Sequence, residues 1–178
     1  MMNSSDVHSF YFDIEDRYSL TQWQNWCSER NRWPIIAIPL YLTAIFYGQN
    51  VMRDRKPIKI TPILFLWNMS LAVVSMIGTY RLFTHMSLQI QNSGFTDSVC
   101  VNDPDNVVSL WVYLFTMSKF VELGDTFFLV IRKRNVMFLH WYHHVTVLLY
   151  TWFAFTHNAS TGKYFIIMNY FVHSLMYT

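Results

Sequence analysis

Charged residues are scarce in this sequence of 178 residues, and their scarcity limits what the protein can be. They make up 13% of the chain, whereas a soluble domain carries about 25%. The apolar residues form long blocks with the charges gathered between them, as in multi-span membrane proteins. This pattern excludes an ordinary soluble domain and predicts an all-α, polytopic protein in a lipid bilayer. The formal net charge of only +2 gives no indication of a nucleic-acid partner.

Cysteine and an N-terminal apolar leader are also lacking. The two cysteines, Cys27 and Cys100, are too few for a disulfide framework and have no metal-ligand spacing. The first 33 residues contain no apolar run, so we expect no cleavable signal peptide and expect the first span to direct insertion. We therefore divide the chain into a lumenal N-terminal segment, residues 1–33, and a transmembrane domain, residues 34–178.

Four complete apolar blocks are each long enough, at about 20 residues, to cross a bilayer as a helix. A fifth begins near Tyr164 and reaches Thr178 after about 15 residues, which is short for a span. Because proteins rarely stop inside a membrane helix, we expect the chain to be a C-terminally truncated piece of a longer protein. The complete blocks are Pro34–Met52, Pro62–Tyr80, Val107–Ile131 and Val136–Phe155.

Two loops rich in Lys and Arg predict the orientation in the membrane. They separate the first block from the second and the third from the fourth, so both lie on one side. Positive residues mark the cytoplasmic side, which places the N-terminus and the loops 81–108 and 156–163 in the lumen. Glycosylation sequons at Asn3 and Asn158 agree with this orientation. The basic residues are Arg53, Arg55, Lys56, Lys59, Arg132, Lys133 and Arg134.

The predicted lumenal position of Cys100 has a redox consequence. The lumen is oxidising, so we expect Cys100 to form a disulfide in the complete protein. Its partner is either Cys27, on the same side, or a cysteine outside this chain.

Ionisable residues occur inside three of the apolar blocks, where each costs roughly 2.5–3.5 kcal/mol and therefore usually marks function. In the third block, Lys119, Glu122 and Thr126 fall on one helical stripe, with Asp125 beside it. Lys119 and Glu122 by themselves could be an ion pair that only neutralises itself. Asp125 is then an additional acid, which favours a functional site.

Histidines occupy the next two blocks. The spacing of His140, His143 and His144 places three imidazoles on one helix face. A single membrane histidine is often a helix–helix hydrogen-bond donor, but three on one turn, with His173 on the next span, favour chemistry. Met176 and Tyr177 fit packing as well as function. The residues on the His173 face are Asn169, His173, Met176 and Tyr177.

These polar groups are expected to meet in one chamber. At a rise of about 1.5 Å per residue, they lie at similar depth and nearer the predicted cytoplasmic side. The arrangement predicts a buried polar chamber that opens to the cytosol. A neutral imidazole there can act as a nucleophile or general base near pH 7.

The motifs, in this order on successive spans, resemble those of the very-long-chain fatty acid elongases. The patterns Lys-x-x-Glu-x-x-Asp-Thr, His-x-x-His-His and Asn-x-x-x-His-x-x-Met-Tyr are matched at 119–126, 140–144 and 169–177. The segments 122–126 and 139–150 look closest to the subgroup acting on long-chain saturated and monounsaturated acyl-CoAs. The resemblance implies a seven-helix membrane fold around a closed acyl tunnel, of which about five spans lie here.

The resemblance also implies an activity. The protein would be an acyltransferase, a 3-oxoacyl-CoA synthase of the endoplasmic reticulum membrane. It would condense a long-chain acyl-CoA with malonyl-CoA, releasing CoA and carbon dioxide, in the first step of the fatty acid elongation cycle. No cofactor and no metal is implied beyond these substrates. Association with other enzymes of the cycle, formation of a homo-oligomer and the exact chain-length preference are left open.

The resemblance further implies roles for the matched polar residues. His143 would attack the acyl thioester, His173 would position or polarise its carbonyl, and Asn169 would donate hydrogen bonds to an oxyanion. The other two histidines of the His-x-x-His-His pattern would orient the nucleophile or shuttle protons. The implied catalytic residues are His140, His143, His144, Asn169 and His173.

The acidic residues of the third block would support the imidazoles. Glu122 and Asp125 would set imidazole tautomers, and Lys119 would balance their charge. The residues implied in substrate binding are Lys119, Glu122, Asp125, Thr126, Met176 and Tyr177.

Two other functions use similar residues. Membrane di-iron desaturases and hydroxylases also contain His-x-x-His-His boxes, but they need many more ligands than one box and His173 supply. A proton-coupled transporter could use Glu122, Asp125 and the histidines. Thioester turnover, as against ion flux into vesicles, distinguishes the enzyme from the transporter.

Overall fold

Helices account for the whole regular structure of the described residues. A computed structural model describes residues 19–100, 106–157, 159 and 162–178, which form six helices and no strand. The all-α fold predicted from the apolar blocks is therefore confirmed. The helices are α1 Leu20–Glu29, α2 Arg32–Met52, α3 Thr61–Cys100, α4 Asn106–Ile131, α5 Phe138–Thr156 and α6 Gly162–Met176.

Four helices coincide with predicted spans. The first, third, fourth and fifth apolar blocks match α2, α4, α5 and α6 to within two residues at each end. Apolar length locates these helices well because loops that contain charged or polar residues separate them.

The helix α3 differs from the prediction, because residues assigned to the loop 81–108 continue the helix as far as Cys100. Arg81 and Leu82 are 9% and 2% exposed, so the helix still has a packed face beyond the apolar block. A charged residue ends an apolar block without ending a helix when a neighbouring helix covers it. The element is interrupted at Gly94, whose φ of 86° and ψ of 166° favour glycine.

The helix α1 was not found by the search for apolar blocks. It is ten residues long and lies within the predicted N-terminal segment. Cys27 is fully buried in a cluster with Trp152 and Phe155 of α5, and Trp26 packs against this cluster. A helix this short is marginal in isolation, so tertiary packing supplies its stability.

Three apolar clusters join the helices, and two of them centre on α4. The fully buried ring of Phe115 lies 5.0 Å from that of Tyr170, at the junction of α3, α4 and α6. A second cluster joins α2 to α4, and the third joins α1 to α5. The first comprises Leu82, Trp111, Phe115, Ile166, Ile167 and Tyr170, and the second comprises Tyr41, Ile45, Met52 and Val130.

Apolar side chains also cover the outside of the bundle. Ile35, Leu40 and Phe65 are 64%, 66% and 64% exposed. The helices α2 and α3 are long and apolar enough to cross a membrane, and only 17% of the most apolar stretch of each is buried. A core helix of a soluble protein would hide such residues, whereas a helix in a bilayer presents them to lipid.

The two basic loops lie together at one end of the bundle, as predicted. The Lys133 ammonium donates hydrogen bonds of 2.9 and 3.1 Å to the backbone carbonyls of Arg53 and Arg55. The sequons at Asn3 and Asn158 lie outside the described residues. Their lumenal position therefore stays a prediction.

Both cysteines are free thiols. Cys27 is fully buried between α1 and α5, whereas Cys100 is exposed at the end of α3. Of the two alternatives for the partner of Cys100, Cys27 is therefore wrong, because a thiol enclosed by packing does not meet an exposed one. Pairing of Cys100 with a cysteine outside this chain stays a prediction. Burial raises the pKa of the Cys27 thiol to about 11, against the opposing charge of Arg30.

Close packing of α3 against α6 depends on Gly78. A Cβ atom there would meet the Tyr170 ring at 2.8–3.0 Å, and this ring is held in the core with its hydroxyl donating to the Trp111 carbonyl at 3.2 Å. We expect Gly78→Ala to lower the free energy of unfolding by about 1–3 kcal/mol through overpacking. At Gly162 the same atom would lie 3.9 Å from Ala154, so Gly162→Ala is the matched control. Denaturant titration in bicelles measures both variants, and equal stability would contradict the prediction.

Candidate functional site

An ion pair is buried in the middle of α4. The Lys119 ammonium donates to both carboxylate oxygens of Glu122, at 2.7 and 2.8 Å, across one helical turn. The two residues are 3% and 4% exposed. Charges withdrawn this far from water persist only when they are paired and hydrogen-bonded. The pair therefore depends on neighbours that complete its polar contacts.

Those neighbours come from α4 itself and from α6. Lys119 Nζ donates a bond of 2.9 Å to Oδ1 of Asn169 and lies 4.1 Å from the centre of the Phe115 ring. Ser118 Oγ donates to Glu122 Oε1 at 2.9 Å. An ammonium can only donate, so the amide oxygen of Asn169 must face it. The amide NH₂ of Asn169 is then left as a hydrogen-bond donor.

His173 of α6 lies beside the ion pair. Its Nδ1 is 3.6 Å from Glu122 Oε1, which is a close approach and not a hydrogen bond. The imidazole is buried, and its ring centre lies 5.4 Å from that of Tyr177 in an edge contact. The third and fifth apolar blocks therefore converge, as predicted. We call Lys119, Glu122, Asn169 and His173 the Lys119 cluster.

An indole and a phenol hold Asp125, and not an imidazole as the family resemblance implies. Trp67 Nε1 of α3 donates to Oδ1 at 2.6 Å, and the Tyr177 hydroxyl donates to Oδ2. Within the described part of the chain, Asp125 makes no hydrogen bond to a histidine. Trp67 can approach because residue 124 is glycine, where a Cβ atom would meet the indole at 2.9 Å.

Thr126, the next residue of α4, joins α2 to α5. Its fully buried hydroxyl lies 2.6 Å from the hydroxyl of Tyr41 and 3.0 Å from Nε2 of His140. Successive residues of a helix point about 100° apart. Asp125 and Thr126 therefore reach different partner helices from adjacent positions.

The three histidines of α5 have three different environments. His144 is buried, His140 is half-buried and His143 is exposed. The rings of His140 and His144 meet edge to face with centres 4.7 Å apart, and the ring of His143 lies 5.9 Å from that of His144. The predicted single face is therefore wrong in one respect. His143 and His144 point about 100° apart, so His144 is buried in the bundle while His143 is exposed.

Met176 also departs from its predicted face. It is 60% exposed, whereas its neighbour Tyr177 is 9% exposed. Met176 follows the buried Tyr170 by six residues, which places it about a third of a turn away from the buried face. The side of α6 that faces inward thus includes Asn169 and His173 but not Met176, and Tyr177, directly after the helix, also faces inward.

Two residues of the site, Tyr41 and Trp67, were missed because neither is charged. A signal for Tyr41 was present in the sequence, since it lies near the middle of its apolar block. Membrane tyrosines and tryptophans are usually found at the interfaces. A buried tyrosine hydroxyl needs a partner, so a mid-span tyrosine predicts one.

Metal ligands are not grouped in the described residues. No three His, Cys, Asp or Glu side chains there come together as a metal-binding set. The absence of a metal requirement stays a prediction.

A recess lies at the end of the bundle opposite the basic loops. Most of its lining is apolar. Thr151 of the lining follows His144 by seven residues, so the recess begins about 10 Å from the imidazoles along α5. Other lining residues are Leu20, Val112, Tyr150, Phe155, Phe165 and Ile166.

Lipid-facing apolar helices around a buried cluster of lysine, glutamate, asparagine and histidine define a helical membrane protein with an internal polar site. The chain belongs to the ELO: GNS1/SUR4 family, whose sequence profile matches residues 26–178. The predicted family resemblance is therefore confirmed.

Curated relatives carry the names of fatty acid elongases. Very long chain fatty acid elongase 6 of Drosophila melanogaster is 39% identical over 96% of this chain and 55% of its own length. Very long chain fatty acid elongase 6 of Homo sapiens is 36% identical over 99% of this chain and 68% of its own. Very long chain fatty acid elongase 3 of Mus musculus is 43% identical over 80% of this chain and 54% of its own length. The chain thus spans half to two thirds of the length of these relatives.

The buried ion pair makes a prediction about stability. Glu122→Gln leaves the Lys119 ammonium buried without a counter-charge, so we expect it to lower the free energy of unfolding by about 3–5 kcal/mol. Replacing both charges, with Lys119→Met and Glu122→Gln together, should lower the free energy of unfolding by less than Glu122→Gln alone does. Asp97→Asn, at an exposed position of α3, is the control and should be near neutral. A double variant less stable than Glu122→Gln would contradict this account.

Proposed function

We propose that this chain forms the catalytic part of a very-long-chain 3-oxoacyl-CoA synthase, which condenses a long-chain acyl-CoA with malonyl-CoA. The observation that carries the proposal is the Lys119 cluster, where two helices bring a half-buried amide donor and a buried imidazole beside an ion pair. The names of the curated relatives support the same activity. The products are 3-oxoacyl-CoA, CoA and carbon dioxide.

The reaction proceeds in two acyl transfers. The imidazole of His143 attacks the acyl carbonyl, a C–N bond forms, and the C–S bond breaks to release CoA as a thiolate, which takes the proton that the acylated imidazole gives up. Malonyl-CoA then loses carbon dioxide, and its enolate attacks the acyl-imidazole, so that a C–C bond replaces the C–N bond and the departing imidazole takes a proton from the CoA thiol or from solvent. The exposure of His143 supports this role, because a nucleophile must be reachable by the thioester.

The Lys119 cluster stabilises the charge that develops during each attack. The NH₂ of Asn169, whose oxygen is engaged by Lys119, is free to donate to an oxyanion. His173 lies within the same cluster and positions the thioester carbonyl. Glu122 compensates the ammonium, so the cluster presents donors without a net positive charge.

The two ends of the bundle suit the two ends of an acyl-CoA. The basic loops, which the hydrogen bonds of Lys133 connect, provide positive charge for the phosphates of CoA at the cytoplasmic face. The recess beside Thr151 offers an apolar compartment for the methyl end of the acyl chain. In the proposed orientation the N-terminus faces the lumen of the endoplasmic reticulum, as the basic loops of the sequence predict.

The nucleophile is tested in the full-length protein. We expect His143→Ala to abolish both 3-oxoacyl-CoA formation and capture of labelled acyl groups on the enzyme, because no acyl-imidazole can form. Product analysis with labelled malonyl-CoA and a panel of acyl-CoAs measures the first, and denaturing gels measure the second. His157→Ala, at the exposed end of α5, is the matched control and should retain activity. Near-normal turnover by His143→Ala would rule out this nucleophile.

Metal dependence separates this chemistry from a di-iron oxidation. We expect purified full-length enzyme to keep its condensing activity after dialysis against chelators, since every bond change above uses side chains and substrates alone. Elemental analysis and turnover are measured on the same sample. Stoichiometric iron or zinc, with activity lost on chelation and restored by the metal, would overturn the proposal.

A further inference from the structure

Tyr41, Thr126 and His140 form one hydrogen-bonded chain across α2, α4 and α5. The tyrosine hydroxyl lies 2.6 Å from Thr126 Oγ1, which lies 3.0 Å from His140 Nε2. Tyr41 is 8% exposed and Thr126 is fully buried. In the described part of the chain, these are the only side-chain hydrogen bonds that the three residues make.

The two hydrogen bonds involve three donor protons, those of the Tyr41 hydroxyl, the Thr126 hydroxyl and the His140 ring, so any arrangement leaves one donor without a partner among the described groups. If Tyr41 donates to Thr126, and Thr126 donates to Nε2 of His140, the donor left over is Nδ1–H of the half-buried His140. If Nε2 instead carries the proton and donates to Thr126, the donor left over is a hydroxyl of the buried Tyr41 or Thr126. An unused donor costs more where the residue is more deeply buried, so the first arrangement is preferred.

We infer that Tyr41 and Thr126 hold His140 as the neutral imidazole with its proton on Nδ1 and with Nε2 occupied as an acceptor. Tyr41 and Thr126 are then positioning residues that act through His140. No carboxylate is needed for this, and Asp125 is engaged by Trp67 and Tyr177.

The tautomer limits what His140 can do in the proposed reaction, and this consequence rests on the proposed function. With Nε2 occupied, the only other ring nitrogen of His140 carries a proton. His140 is therefore a hydrogen-bond donor and not the base or nucleophile. Those two roles are left to His143 and His144, whose rings lie 5.9 Å apart.

Nitrogen NMR on the chain itself tests the tautomer without reference to activity. Histidine labelled with nitrogen-15 is incorporated, the chain is placed in nanodiscs, and the His140 signals are identified by their loss in His140→Gln. We expect a protonated Nδ1 and an unprotonated Nε2. Thr126→Val, which keeps the shape and removes the hydroxyl, should shift the tautomer ratio about tenfold toward Nε2–H. Thr126→Ser should retain the parent ratio.

Variants of the tyrosine complete the test. Tyr41→Phe should shift the ratio in the same direction as Thr126→Val but less, since Thr126 can still donate. Tyr47→Phe, at an exposed position of the same helix, is the matched control and should leave the ratio unchanged. A proton on Nε2 in the parent chain, or the same ratio in Thr126→Val as in the parent, would overturn the inference.

Kinetics of the full-length protein test the consequence. We expect Thr126→Val to lower kcat about tenfold with little change in KM, and Thr126→Ser to restore it. Unchanged kcat in Thr126→Val would contradict the positioning role. If the full-length protein catalyses no condensation, the proposed function fails, and the NMR result still decides the tautomer.

Discussion

The bundle depends on the buried ion pair between Lys119 and Glu122. An apolar helix cannot keep two charges out of water unless their remaining donors and acceptors are also satisfied. Asn169 supplies the main contact from another helix, so the requirement docks α6 against α4 at one register. That register brings His173 beside the carboxylate. The geometry of the candidate site therefore follows from the need to pair and hydrogen-bond the Lys119 ammonium in the middle of an apolar helix.

The helix α4 makes polar contacts with four of its neighbouring helices from two successive turns. Glu122 and Lys119 face α6, Asp125 faces Trp67 of α3, and Thr126 faces α2 and α5. Each contact is short and at least partly buried, so each resists sliding or rotation of one helix against another. A site assembled in this way holds the His140 imidazole in a defined position between α4 and α5.

Much of this arrangement could be predicted, and the reasons for success and failure are physical. Charges and imidazoles inside apolar blocks are costly, so Lys119, Glu122 and His173 were identified as site residues without any structure. Tyr41 and Trp67 carry no charge and stand out little among many aromatic residues. The helix α1 and the second half of α3 were missed because their stability comes from packing, and apolar length detects only segments that lipid stabilises.

The sequence by itself determined the helical membrane fold, the positions of most spans and the three motifs, because these follow from the cost of placing polar groups in a bilayer. Only the tertiary structure decided which way each polar side chain faces. His143 and His144, like Met176 and Tyr177, are neighbours with opposite exposure, and helical spacing alone cannot choose between them. The choice depends on which neighbouring helix offers a partner. Thr126 shows this most clearly, because its contacts with Tyr41 and His140 join residues 85 and 14 positions away.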